Sequence, residues 1–441
     1  MSKADPPASE SAADNGRYPS QIKYIIGNEA CERFSYYGML GILELYLANR
    51  MKMGGAEATK TQHIFGAAVY FLPLAGGWLA DRWVGRYWTI LVISLFYCLG
   101  HGTLALFEGS RAGLHAGLAL IAIGAGGIKP CVSAFVGDQF KACQHHLLTK
   151  VYGWFYWTIN LGAAAAFFII PQVHKYLGYR WAFGVPGLAM GLATLIFWLG
   201  RGQYIRQAPQ RRARPAKQEA AADRKALLDI GLVFLTVPMF WVLFNQTSST
   251  WVLQGEKMTP FSITSFFVLN GETMQGAGSV LVMIWTPILT LLLYPMAERL
   301  GWRPTALRRM TAGMFLAAVS FVICGLVQAR MDRGQSVSIL WQVASYVVLE
   351  AGEVLLSATG LEFAFAQAPA RLKSVVMSMW LMTIAAGHFL IAAFTELNQR
   401  VVGASGASYF YFFAAMMFVV SIAFAFCASG FRPLSGRGAP A

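Results

Sequence analysis

Glu29-Ala30-Cys31-Glu32-Arg33-Phe34-Ser35-Tyr36-Tyr37-Gly38 sets three charged residues inside the first apolar stretch of the chain. On a helix, Glu29, Glu32 and Arg33 are spaced i, i+3, i+4 and share one face. A charge at mid-bilayer costs roughly 2.5–3.5 kcal/mol on insertion scales. Such groups turn toward protein or a water-filled cavity and mark ion or substrate pathways. The stretch therefore predicts a membrane helix that offers charge to an interior, and it points toward transport.

Composition agrees. The chain has 441 residues, 56% hydrophobic and 13% charged, where a soluble domain carries about 25% charged residues. Apolar blocks long enough to span a bilayer, which takes about 20 residues, fall at 22–49, 61–83, 87–107, 113–137, 150–173 and 181–200. Six more fall at 227–253, 273–298, 306–328, 337–366, 372–396 and 408–430. The break between the sets, Arg201–Lys225, is basic and contains Pro209 and Pro215. The expected fold is an all-α membrane protein with twelve transmembrane helices in two six-helix bundles. Its parts are an N-tail (1–21), a first bundle (22–200), a linker (201–225), a second bundle (226–430) and a C-tail (431–441). The N-tail lacks the apolar core of a signal peptide and reads as a disordered cytoplasmic segment. The 337–366 block contains Glu350, Glu353 and Glu362 and reads as one tilted helix.

With both termini in the cytoplasm, the 35 Lys and Arg favour cytoplasmic segments by about two to one, as the positive-inside rule requires. That accounts for the net charge of +14 without nucleic acid. The cysteines show no CxxC spacing and no metal-ligand clustering, and read as small packing residues. Walker loops, dinucleotide fingerprints and zinc-type spacings are missing from the sequence. ATP-driven transport by this chain alone is therefore disfavoured, no cofactor is expected, and the chain does not read as an enzyme. A weak repeat links Ala80-Asp81-Arg82-Trp83-Val84-Gly85-Arg86 to Ala297-Glu298-Arg299-Leu300-Gly301-Trp302-Arg303. Each stands after the second span of its half, and two related halves are a transporter plan.

Arg33 and Lys129 are the intramembrane cations; Glu29, Glu32 and Glu362 are the leading intramembrane anions. Lys129 follows Gly126-Gly127-Ile128 and precedes Pro130, where glycines allow close helix approach and proline re-aims side chains. These charges suit a buried ion-pair network that only holds helices together. They equally suit a carboxylate–cation cluster that exchanges protons, because moving a partner cation changes a buried carboxylate's proton affinity. His63, opening the second span, is either a structural hydrogen-bonder or a group that titrates near neutral pH; His388 shares that ambiguity. Tyr37, Tyr70, Asn160, Trp241 and Gln246 lie in spans with polar neighbours and can line a pocket or simply pack.

These residues resemble a known family. Glu29-x-x-Glu32-Arg33-Phe34-x-Tyr36-Tyr37-Gly38 is similar to the first motif of the proton-dependent oligopeptide transporters, a branch of the major facilitator superfamily. Gly126 to Phe135, continuing through Gly137-Asp138-Gln139-Phe140, resembles the second motif, and Phe155 to Gly162 the third. Phe240 to Gln246 resembles span 7 and Gly360 to Pro369 span 10. The resemblance runs from about 22 to 430. It implies uptake of di- and tripeptides driven by inward proton flow, with alternating access between two bundles. The short linker and plain tails suggest a prokaryotic inner membrane, and a monomer is expected. It implies that Arg33, Tyr37, Lys129 and Asn160 meet the peptide's carboxylate end and backbone, with Tyr70 beside them. Glu362 would meet the amine, Trp241 would form an apolar wall, and Glu29 and Glu32 would be proton-linked partners of Arg33 and Lys129.

The chain departs from the pattern at three positions. Leu40 and Asn245 stand where many relatives carry an arginine and an acid that pair at the outer gate, and Gly278 stands where an asparagine is common. His63, with Asn245 and Ser249 opposite, is expected to take over outer-gate proton sensing. Other readings are transport of a different small solute, a non-transporting peptide sensor on the same fold, and a channel.

Overall fold

Charge sorts the helices of the computed structural model, which describes residues 18–209, 217–264, 267–301, 304–368 and 372–431. Among the described residues, nine helical stretches are long and apolar enough to cross a membrane. These are α2 (Gly55–Val84), α3 (Arg86–Leu106), α4 (Arg111–Asp138), α5 (Lys150–Gly202), α6 (Asp223–Glu256), α7 (Met274–Arg299), α8 (Ala306–Asp332), α10 (Val375–Val402) and α11 (Ala407–Gly430). Two more helices are as long but carry buried acids: α1 (Ile22–Leu45) and α9 (Leu340–Gln367). The expectation of an all-helical membrane protein is borne out. A two-stranded antiparallel hairpin pairs Phe261 with Leu269 and Ser262 with Val268.

The two expected spans, 150–173 and 181–200, are two helices within the stretch α5 that meet directly at Gly178. There φ is 79° and ψ 177°, a region that a side chain resists and glycine tolerates. Pro130 sits inside α4, whose helix continues past it. Residues 1–17 of the proposed N-tail, 432–441 of the C-tail and 210–216 of the linker, with half of the linker's arginines, lie outside the described residues, as do Trp302 and Arg303 of the repeat.

The chain divides into two compact units. One comprises Met1–Met39, Leu72–Ala166 and Val173–Arg212; the other comprises Leu40–Phe71, Phe167–Gln172 and Ala213–Ala441. The first unit buries Ile25, Met39, Tyr97, Ile128, Phe135, Phe183 and Phe197. Within it α2 crosses α4 where Gly76 meets the Gly126 carbonyl; a Cβ at Gly126 would lie 2.5 Å from the Leu72 Cβ. Arg86 ties the ends of these helices together by donating to both oxygens of Asp138 at 2.7 Å and to Asp81 at 3.2 Å. The second unit packs Phe240, Trp251, Phe321, Tyr346, Trp380 and Phe424 into one core. Leu99, Leu106, Leu188, Leu232 and Phe426 are exposed, which suits side chains whose solvent is lipid. Cys131 and Cys324 are buried as packing residues, whereas Cys143 and Cys427 are exposed.

Candidate functional site

In the first unit the spacing of the opening motif is realised on α1. Arg33 Nε lies 2.6 Å from Glu29 Oε1 and 3.2 Å from Glu32 Oε2. Both carboxylates are buried, and Arg33 keeps 13% of its side chain exposed. Two acids thus share one guanidinium, with Lys129 of α4 in electrostatic reach of all three groups. Lys129 Nζ lies 4.2 Å above the Tyr36 ring, a cation–π contact that holds an ammonium without neutralising it. Tyr37 also faces Arg33, and the Tyr97 hydroxyl faces Glu32. Asn160 spends its amide donor on the Tyr156 carbonyl one turn back, at 3.0 Å. Arg33, Lys129, Glu29, Glu32 and Tyr37 therefore form one cluster.

In the second unit His63 is fully buried on α2. Its Nδ1 lies 2.8 Å from Nδ1 of His388 on α10, and its Nε2 lies 2.8 Å from Ser249 Oγ. Tyr70 stacks on His388 at 5.8 Å. Ser249 stands opposite His63 as expected, at the end of a short 3₁₀ turn, Asn245–Ser248, that interrupts α6. The same turn accepts from Gln62, whose Nε2 reaches the Ser248 carbonyl at 2.6 Å. Trp241 is buried in the apolar core, with its indole N–H on Thr383 Oγ1 at 3.0 Å.

The acids of α9 separate by environment. Glu362 is 58% exposed and takes Arg309 at 2.8 Å, so its charge is already engaged. Glu353 is held by Ser357 and has one oxygen buried without a hydrogen-bond partner. Glu350 is buried against Gly278, where an added Cβ would lie 2.6 Å from Glu350 Oε1. The missing side chain at Gly278 is thus the space that Glu350 occupies. Sequence reasoning did not place Glu350 or Glu353 in a site and left His388 ambiguous; Glu350 and His388 depend on neighbours distant in the chain, Gly278 and His63.

An all-helical, multi-pass membrane fold with charge clusters buried inside its units is the architecture of a membrane carrier. The POT family model PTR2 matches residues 87–217 and 209–409, and the chain belongs to that family. It is 38% identical to an auto-inhibited POT family peptide transporter of known structure, with a TM-score of 0.89 over 96% of this chain and 99% of the other. It is 35% identical to the POT family transporter PepTSo, with a TM-score of 0.87 over 94% of this chain and 99% of that one. Solute carrier family 15 member 2 of Mus musculus is 35% identical over 365 residues, 71% of this chain and 50% of that protein. The chain spans about half the length of the curated relatives it matches.

Proposed function

We propose that this chain is a proton-coupled symporter that imports di- and tripeptides by alternating access. Membership of the POT family and likeness to structures described as peptide transporters support the class. The observation that carries the coupling is the sharing of Arg33 by Glu29 and Glu32 with Lys129 nearby. Four opposed charges balance as long as both acids are ionised. A proton on either acid removes one anion, loosens the guanidinium and leaves an excess cation. A peptide carboxylate satisfies that cation through a forked pair of hydrogen bonds. Proton and carboxylate then enter together because each restores the balance that the other disturbs.

Tyr37 and Asn160 serve the peptide backbone on the same side, and Tyr70 and Trp241 supply aromatic surface in the second unit. For the amine end, Glu353 is the better-placed acid of α9. It holds an unpartnered carboxylate oxygen, whereas Glu362 is held by Arg309. His63 senses protons through its bond to His388. The protein works as a monomer in the inner membrane with both termini cytoplasmic and without a cofactor.

The deciding experiment is uptake of labelled dialanine into proteoliposomes under an inward proton gradient, with and without a protonophore. Accumulation above equilibrium that collapses with the protonophore supports symport. Binding without flux favours a sensor, and neither binding nor flux points to another cargo.

A further inference from the structure

Glu44 lies near the end of α1, 1% exposed, in a helix whose other acids serve Arg33. Thr59 Oγ1 of α2 donates to its Oε1 at 2.7 Å, and its Oε2 is buried with no hydrogen-bond partner. Among the described residues, no basic side chain forms an ion pair with it. A buried, unpaired carboxylate is costly, and such a group trades its charge for a proton when water can deliver one.

A cavity lies beside its neighbours. Thr59 and Tyr409 line a cavity of about 270 Å³, together with Thr250, Gln254, Gln328 and Asn398. Tyr409 faces Glu44 from α11, and its hydroxyl donates to Gln246 Oε1 at 3.1 Å. Thr250 donates to that same oxygen at 2.9 Å. The neighbouring charges are otherwise placed: Lys60 of α2 is held by Glu396 of α10 at 2.5 Å, Glu396 also takes Arg400, and Lys257, just past α6, stands at the cavity wall. Gln62 and His63 follow Thr59 on the same face of α2, at i+3 and i+4. His63 is therefore about 6 Å along the helix from Thr59.

We propose that Glu44 is a proton-binding site on the face away from the cytoplasmic basic segments, filled from this cavity ahead of the His63–His388 pair. The carboxylate takes one proton from hydronium in the cavity, leaves a water molecule, and returns the proton when the cavity turns alkaline. This assignment rests on the symport reading for its purpose, but not for its test.

Glu44→Gln keeps an acceptor for Thr59 and removes the titration. Infrared titration of the purified full chain is expected to show a protonated-carboxyl stretch that Glu44→Gln lacks. Identical spectra from the two proteins across the titration overturn the proposal, whether or not the chain carries peptides. In proteoliposomes with fixed internal pH, Glu44→Gln is expected to lose about tenfold in proton-driven dialanine uptake, the effect of one pH unit in proton activity. The loss should exceed that in dialanine counterflow. Unaltered dependence on external pH also overturns the proposal. An unsubstituted chain that moves no dialanine sinks the symport reading alone, since the infrared comparison still decides Glu44. Should Glu44→Gln fail to fold, Glu44→Asp is used: a displaced carboxyl band supports the proposal and an unmoved one overturns it.

Discussion

Arg33 works through geometry as much as charge. Its guanidinium serves Glu29 and Glu32 at once, and a lysine ammonium is a point charge without that fork. Arg33→Lys is expected to weaken dialanine binding by about 1.5–3 kcal/mol, the range for hydrogen bonds to charged groups. Equilibrium binding to the purified protein measures this, and an unchanged affinity would remove Arg33 from the peptide site. The histidine pair makes a different prediction. His63 and His388 share one short contact, and two imidazolium charges at that distance repel, so the pair titrates as a unit. Glutamine at either position should flatten the pH dependence of uptake, and the double variant should lose little more than one single. Additive losses would mean independent roles. The charges of α1 were legible in the sequence because their spacing alone puts them on one face. The bond between His63 and His388 was not, because 325 positions separate them and only packing of α2 against α10 joins them. Glu44 went unread for a related reason: one acid near the end of an apolar block looks interfacial until Thr59 and the cavity are seen beside it.

Glycine placement decides how closely these helices pass. At Gly126 an added Cβ would strike Leu72, whereas at Gly102 on α3 it would meet nothing within 4 Å. Gly126→Ala is therefore expected to cost about 1–3 kcal/mol from overpacking. Gly102→Ala should be neutral or gain up to about 1 kcal/mol from helix propensity. Thermal midpoints in detergent compare the pair, and equal shifts would show that the α2–α4 crossing relaxes freely. At this scale the sequence was legible wherever apolar blocks were long and unbroken. The junction inside α5 was harder to place, because only the backbone dihedrals at Gly178 show where its two helices meet. The acids of α9 were harder still. Glu350, Glu353 and Glu362 occupy one helix, and Ser357 stands at i+4 from Glu353 within it, but Gly278 and Arg309, which set the surroundings of Glu350 and Glu362, come from other helices that no spacing within α9 reveals.

For the whole molecule, the consequence to test is sidedness, on which both the direction of transport and the role of Glu44 depend. By the positive-inside rule the stretch from the end of α4 to the start of α5, with Lys141 and Lys150, is expected in the cytoplasm. Cys143 lies in that segment and is exposed, whereas Cys131 and Cys324 are buried. A membrane-impermeant maleimide should therefore modify the chain in inside-out vesicles and leave it unmodified in intact cells. Cys427 is also exposed but lies in the apolar α11, where a charged reagent is excluded by lipid. Cys143→Ser should accordingly abolish most of the signal. Labelling of Cys143 from outside intact cells would reverse the orientation. The cavity beside Glu44 would then open to the cytoplasm, and a proton bound there would be the one released after import rather than the one that drives it.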